Sequence, residues 1–232
     1  MDYQKFIQQL PELYENWGQD FVKPKSQQFE QVLKHLSSIT TANVMQLLNF
    51  AADCMESDEI YCQLGCYNGA SLIGTLLNHP DRMAYVIDEV TDFDKLIEKL
   101  SLLNLHEQVC FCQGNIQDFF SELKAIESPD KIGLFFLNCP PNYRQYLISL
   151  LLAKNFLSDQ ALIIVTKTYW EGVFQANYDF INSHAECQLL LDFSNYNDNY
   201  SWNGIQVLSW DVNRSEGKFI NSEYLVNPNN KL

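Results

Sequence analysis

From Thr41 onward the apolar residues Val44, Leu47, Leu48, Ala51 and Met55 recur at i, i+3, i+4, i+7 and i+11, which is one face of an amphipathic helix with a threonine placed to cap it. The period then changes. Glu59-Ile60-Tyr61-Cys62-Gln63-Leu64 is a short apolar run that breaks at Gly65 and Gly69 and restarts as a helix through Leu72, Ile73, Leu76 and Leu77. The alternation continues with a strand over 83–88, a helix over 93–103, a strand over 108–113 and a helix through Phe119, Phe120 and Leu123. A strand over 132–137, a helix over 142–156, a strand over 161–165 and a helix over 170–183 follow. Strands that are apolar almost throughout, each followed by a helix, predict a parallel sheet covered on both faces.

The end of the chain departs from that rhythm. Strand-like runs over 187–193 and 204–210 are joined by a polar, aromatic stretch over 194–203 with no helical period, so the last strand is expected to run antiparallel. The predicted fold class is α/β, doubly wound, with a seven-stranded, mostly parallel sheet. Ahead of it, 3–17 and 26–36 read as polar-faced helices separated by Gly18 and Lys23-Pro24-Lys25. The expected organisation is an N-terminal helical extension over 1–40, one domain over 41–213, and a loosely held tail over 214–232 with few apolar anchors.

Composition narrows the function classes. At 232 residues, one large α/β domain accounts for the chain. Fifteen Lys and Arg against 29 Asp and Glu give a net charge of −14, which repels a phosphate backbone and an anionic membrane alike. Neither nucleic acid nor membrane is an expected partner. No run approaches the roughly 18 apolar residues of a spanning helix, and Met1-Asp2-Tyr3-Gln4-Lys5 lacks the features of a signal peptide. The cytoplasm is the expected compartment. Seven cysteines without paired ligand spacing read as buried free thiols, not as a metal centre.

In an open parallel sheet, ligands bind outside the carboxyl ends of the strands, where strand order reverses. The first strand brings Gly65 and Gly69 there, whose missing Cβ atoms allow a tight turn and close approach of a nucleotide-type ligand. An ordinary strand-to-helix turn fits the same residues. The second strand brings Asp88, 23 positions after Gly65, near the ~20-residue offset at which a carboxylate accepts ribose hydroxyls; a helix cap is its plain alternative. The third brings Asn115 and Asp118, suited to an adenine amine, and the fourth Asn138-Cys139-Pro140-Pro141-Asn142-Tyr143. The fifth ends in Thr166, Lys167, Tyr169 and Trp170.

With a helix before strand one, Gly65-x-x-x-Gly69, Asp88, Asn115, Asp118 and a seven-strand ending, the stretch from about 42 to 211 resembles the class I S-adenosylmethionine-dependent methyltransferases. It is most similar to an O-methyltransferase-like group of cyanobacterial type, in Met45-Gln46-Leu47-Leu48-Asn49-Phe50 and Trp202-Asn203-Gly204-Ile205-Gln206-Val207-Leu208. The resemblance implies a Rossmann-like fold and S-adenosyl-L-methionine as cofactor. It implies that Gly65, Cys66 and Gly69, with Gln63 before them, line the methionine end, that Asp88 takes the ribose, and that Asn115 and Asp118 take the adenine. Asn138 completes the cofactor side.

The departures from that family set the chemistry expected. Such proteins usually carry a carboxylate where this chain has Gln63, a carboxylate and a histidine where it has Asn138 and Pro141, and an acidic pair where it has Thr166-Lys167. Amides and ammonium groups do not replace carboxylate metal ligands, so no metal is expected. The usual general base is missing as well. Methyl transfer can run largely on proximity, which leaves Tyr143, Lys167 and Tyr169 as the catalytic candidates and Tyr67, Trp170, Tyr196, Tyr200 and Trp202 as a candidate aromatic rim. An Asn-Pro-Pro-Tyr amino-methyltransferase signature is out of register, since Cys139 and Asn142 interrupt it. The expected function is metal-independent O-methyl transfer to a small or carbohydrate-like acceptor. The alternative is a non-catalytic binding or scaffold module; a dehydrogenase lacks its three-glycine fingerprint.

Overall fold

The structure, a computed structural model, describes residues 1–19, 21–36, 40–127, 129–194 and 202–214. Short elements come first: α1 (Tyr3–Gln9), a 3-10 turn (Leu10–Leu13), the paired strands β1 (Tyr14–Glu15) and β2 (Lys23–Pro24), and α2 (Gln28–Lys34). The domain proper runs α3 (Ala42–Asp53), β3 (Glu59–Leu64), α4 (Ala70–Leu76), β4 (Ala84–Asp88), α5 (Phe93–Leu102), β5 (Val109–Gln113), α6 (Ile116–Lys124) and β6 (Lys131–Leu137). It closes with α7 (Tyr143–Ala153), β7 (Leu157–Val165), α8 (Glu171–Ser183), β8 (Cys187–Phe193) and β9 (Ile205–Asp211).

Among the described residues, seven strands form one sheet in the order β5-β4-β3-β6-β7-β9-β8. Pairing is parallel from β5 to β7, and β9 is antiparallel to both β7 and β8. The doubly wound, mostly parallel sheet with an antiparallel ending is therefore observed as the residue pattern implies. Side chains alternate across it with a period of two. Tyr61, Leu134, Phe136 and Val207 enter the core beneath α3, α4 and α5, while Cys62, Phe135, Leu137 and Leu208 enter the core beneath α6, α7 and α8. Caps fix where the helices start: the side chains of Thr41, Asp92, Asn115 and Asn142 each accept the backbone N–H three residues on.

The N-terminal segment departs from two plain helices. α1 stops at Gln9 because Pro11 has no N–H to continue the ladder, and Tyr14–Glu15 then pairs with Lys23–Pro24. Phe6, Leu10 and Tyr14 are buried in the same core as α3 and the sheet, so this segment covers the sheet as part of its core.

Five cysteines are buried as expected, but Cys110 is exposed and Cys112 half-buried. Both lie on β5, the edge of the sheet. No helix among the described residues is long and apolar enough to cross a membrane. Residues 215–232, most of the expected tail, lie outside the described residues.

Candidate cofactor-type site

After β3 the chain builds β4 and β5 on one side and then returns to place β6 on the other. The reversal opens a crevice at the carboxyl ends of β3 and β6. Gly65 leaves β3 at φ +84°, and a Cβ there would stand 2.5 Å from the Asn138 carbonyl oxygen. Gly69 repeats the left-handed conformation at φ +86°, with a would-be Cβ against Leu96 Cδ1, the tip of a flexible side chain. Side chains are disfavoured at both turns by conformation, and at Gly65 also by space, since the atoms met there are backbone.

Two buried polar side chains hold this loop. Gln63 is fully buried; it accepts from the Tyr61 hydroxyl at 2.7 Å and donates to the Gly65 carbonyl at 2.8 Å and to Ser71 Oγ at 2.9 Å. Asp88, at the end of β4, grips the loop from the other side. Its Oδ2 accepts the N–H of Cys66 at 2.7 Å and of Tyr67 at 3.3 Å, while Oδ1 accepts those of Val90 and Thr91, both at 2.9 Å. A carboxylate has about four acceptor positions, and backbone donors occupy that many. Burial of Asp88 opposes ionisation, but the hydrogen bonds from Cys66, Val90 and Thr91 outweigh it and hold the carboxyl below its ordinary value.

Beyond the loop lies a cavity of about 540 Å³, bordered by Gly65, Asp88, Asn115, Asn138 and Lys167. Those five, each named from the sequence, are brought together. Asn115 caps α6, accepting from the Asp118 N–H at 2.9 Å and donating to Asp118 Oδ2 at 2.7 Å. Asn138 Oδ1 accepts from the Thr166 hydroxyl at 3.0 Å. Lys167 Nζ donates to the carbonyls of Cys139 at 2.8 Å and Asn138 at 3.3 Å. Burial lowers the pKa of that ammonium, against a smaller pull from Cys139. Gln63, Cys66, Gly69 and Asp118 are not part of the cavity lining; the first three are buried in or beside the loop, and Asp118 is exposed.

The tyrosines fall elsewhere. Tyr143 is outside the cavity lining and donates to Asp179 Oδ2 on α8 at 2.8 Å. Tyr169 packs over Gly204 and beside Trp170, also away from the lining. Of the candidate rim, Tyr67 borders the cavity, whereas Trp202 is fully buried and stacked on Phe193 with ring centroids 4.2 Å apart. Trp202 is therefore a core residue. Tyr196 and Tyr200 lie outside the described residues. The cavity also recruits Glu89, Gln117, Arg144, Gln145 and Ile148. Glu89 follows directly on Asp88, and Arg144 and Ile148 are spaced i, i+4 on α7, so strand-end position and helical period were the signals for them.

No protein-family model matches the chain, and no curated protein matches its sequence. Solved structures do match. The O-methyltransferase TomG from Streptomyces achromogenes, involved in tomaymycin synthesis and determined in complex with SAM, aligns with a TM-score of 0.63 at 12% identity, over 82% of this chain and 91% of that one. An O-methyltransferase from Bacillus cereus, determined in complex with SAH, aligns with a TM-score of 0.62 at 13% identity, over 88% and 99% of the two chains. An rRNA methylase from Streptococcus thermophilus aligns with a TM-score of 0.53 at 12% identity, over 71% and 93%. At these identities the likeness is one of architecture, and with the strand order, the glycine turn and the crevice it establishes that the chain has the Rossmann-like fold of class I S-adenosylmethionine-dependent methyltransferases.

Proposed function

We propose that the chain is an S-adenosylmethionine-dependent methyltransferase that transfers a methyl group, without a metal, to an oxygen of a small or carbohydrate-like acceptor. The observation that carries this reading is the glycine turn held by Asp88 at the rim of a 540 Å³ cavity. That volume falls within the roughly 300–1,000 Å³ range of small-molecule sites. The cradle fits the cofactor: without a side chain at Gly65 the turn packs against the Asn138 backbone, and both residues border the cavity. S-adenosylmethionine, when bound, supplies an electrophilic methyl group.

The chain's own residues supply binding and orientation. Gly65 and Asn138 border the methionine end, and Asn115 borders the adenine, held by Asp118. Gln63, Cys66 and Gly69 build the loop without touching the ligand. Asp88 shapes the ribose pocket through the backbone, and the neighbouring Glu89 carries the carboxylate free to accept ribose hydroxyls. Lys167 replaces a carboxylate at the acceptor end, which supports the metal-free reading. The charge of −14 favours a small acceptor over nucleic acid, and seven free thiols suit the cytoplasm.

A second reading, a binding module that has lost catalysis, is favoured by the placement of Tyr143 and Tyr169 outside the cavity. Calorimetric titration with S-adenosylmethionine and S-adenosylhomocysteine tests both. Binding of both ligands is expected; no binding of either refutes the proposal. Binding without methyl transfer across a broad acceptor panel would select the module.

A further inference from the structure

Lys167 is unusual in backbone and in setting. It adopts φ +61°, a left-handed conformation that costs a lysine more than it would glycine or asparagine. The conformation is held by the Lys167 N–H donating to the Asn203 carbonyl at 3.3 Å and by the Lys167 carbonyl accepting from the Trp170 N–H at 3.0 Å. This backbone delivers the side chain to the cavity wall, where Nζ rests on the carbonyls of Asn138 and Cys139. The Cys139 carbonyl also accepts from the Tyr146 hydroxyl at 3.0 Å, and the Asn138 side chain is tied to Thr166. The ammonium is thus fixed to a rigid strand end.

Its charge is not neutralised there. Among the described residues, no carboxylate lies within ion-pair distance of Nζ. Asp88, on the same cavity, has its acceptor positions filled by four backbone N–H groups. An ammonium has three donors, and two are spent on carbonyls. A partly buried cation with a donor to spare favours an anion beside it. Thr166-Lys167 follows the carboxyl end of β7, next to Asn138 at the end of β6, whose carbonyl also faces the Gly65 turn.

We propose that the Lys167 ammonium is a built-in cation that receives the acceptor as an oxyanion, so that the acceptor carries an ionisable hydroxyl of the phenol or enol type. The inference rests on the methyltransferase reading of the cavity and narrows its acceptor class. Pairing with the ammonium stabilises the ionised hydroxyl, whose proton passes to solvent as the acceptor binds. No general base is then required, in keeping with Pro141 and with the placement of Tyr143 and Tyr169 outside the cavity lining. A neutral sugar hydroxyl gains little from such a site.

The test uses the full chain saturated with S-adenosylhomocysteine, with 4-nitrophenol as probe because its phenolate is visible by absorbance. On the wild type, the bound probe should ionise about one pH unit lower than in solution, a tenfold bias toward the phenolate. Lys167→Met should abolish that shift and weaken phenolate binding about tenfold, a 1.4 kcal/mol change, while leaving 4-nitroanisole binding unaltered. Lys167→Gln, which can still donate to the two carbonyls, should behave like Lys167→Met, and Lys167→Arg should restore phenolate preference. Equal phenolate affinity in the wild type and both neutral variants overturns the proposal. So does a wild type that binds the neutral ether as well as the phenolate, or binds neither. Failure to bind S-adenosylhomocysteine would refute the methyltransferase reading, whereas cofactor binding without a lysine-dependent phenolate preference would refute this inference alone.

Discussion

Replacing Asp88 by asparagine is the most informative single perturbation of the site. The carboxylate takes two backbone N–H groups on each oxygen, two of them at the glycine turn and two at the start of the following loop. Asparagine keeps one oxygen and presents an NH₂ group to the other pair of donors, so two hydrogen bonds are lost and two N–H groups, one buried and one part-buried, face a donor. Hydrogen bonds to a charged group contribute about 1.5–3 kcal/mol each; two at the lower end give a destabilisation of about 3 kcal/mol, large for a point substitution. Urea unfolding would show it as a lower midpoint at unchanged slope, and S-adenosylhomocysteine affinity should fall with it. The pH dependence has a definite sign. Because the folded pKa of Asp88 is depressed, its stabilisation is present above the unfolded value of about 3.9 and is lost as pH falls through the lower folded value. The gap between wild type and Asp88→Asn should therefore close only at acid pH, below about 4. A variant with wild-type stability but weakened cofactor binding would refute the reasoning, since it would make Asp88 a direct ligand and not a brace.

Three further outcomes follow from the same geometry. Gly65→Ala should weaken S-adenosylhomocysteine binding more than tenfold in calorimetry, because its Cβ would meet the Asn138 carbonyl at 2.5 Å; Gly18→Ala, with nothing within 4 Å of its Cβ, should cost roughly 1 kcal/mol through its backbone conformation and leave binding intact. Trp202→Ala should destabilise the fold by about 3–5 kcal/mol in denaturant unfolding, since Trp202 is fully buried among Phe193, Tyr14 and Trp17; a loss below about 1 kcal/mol would contradict its place in the core. Tyr143→Phe should change stability by less than about 0.5 kcal/mol and leave cofactor binding and any methyl transfer unchanged, because its hydroxyl bonds Asp179 away from the cavity.

Much of the architecture was legible because local rules and tertiary demands agree along this chain. Apolar runs read as strands since β3, β6 and β7 are covered on both faces, and glycines read as turns since φ near +85° at Gly65 and Gly69 admits little else. The offset from Gly65 to Asp88 located a cavity residue because one strand-helix-strand unit has a nearly constant length. The N-terminal segment was less legible: Pro11 sits in a polar-faced helical pattern, and only pairing between Tyr14–Glu15 and Lys23–Pro24 shows that the helix has ended.

What the sequence determined by itself was therefore the order of elements, the antiparallel ending and the set of side chains delivered to the carboxyl ends of the strands, because these depend on periodicity and chain connectivity. What only the tertiary structure decided was how each of those side chains is spent. Asp88 and Gln63 are polar in any reading, but their hydrogen-bond partners come from other segments, and it is those partners that make them braces of the loop. Tyr143, Tyr169 and Trp202 were equally plausible as site residues by position, and burial and direction placed them elsewhere. Lys167 was one of three catalytic candidates in the sequence; in the fold it is the one whose charged atom is fixed at the cavity wall by carbonyls of a neighbouring strand end, a contact that spans 28 residues and that no local pattern records.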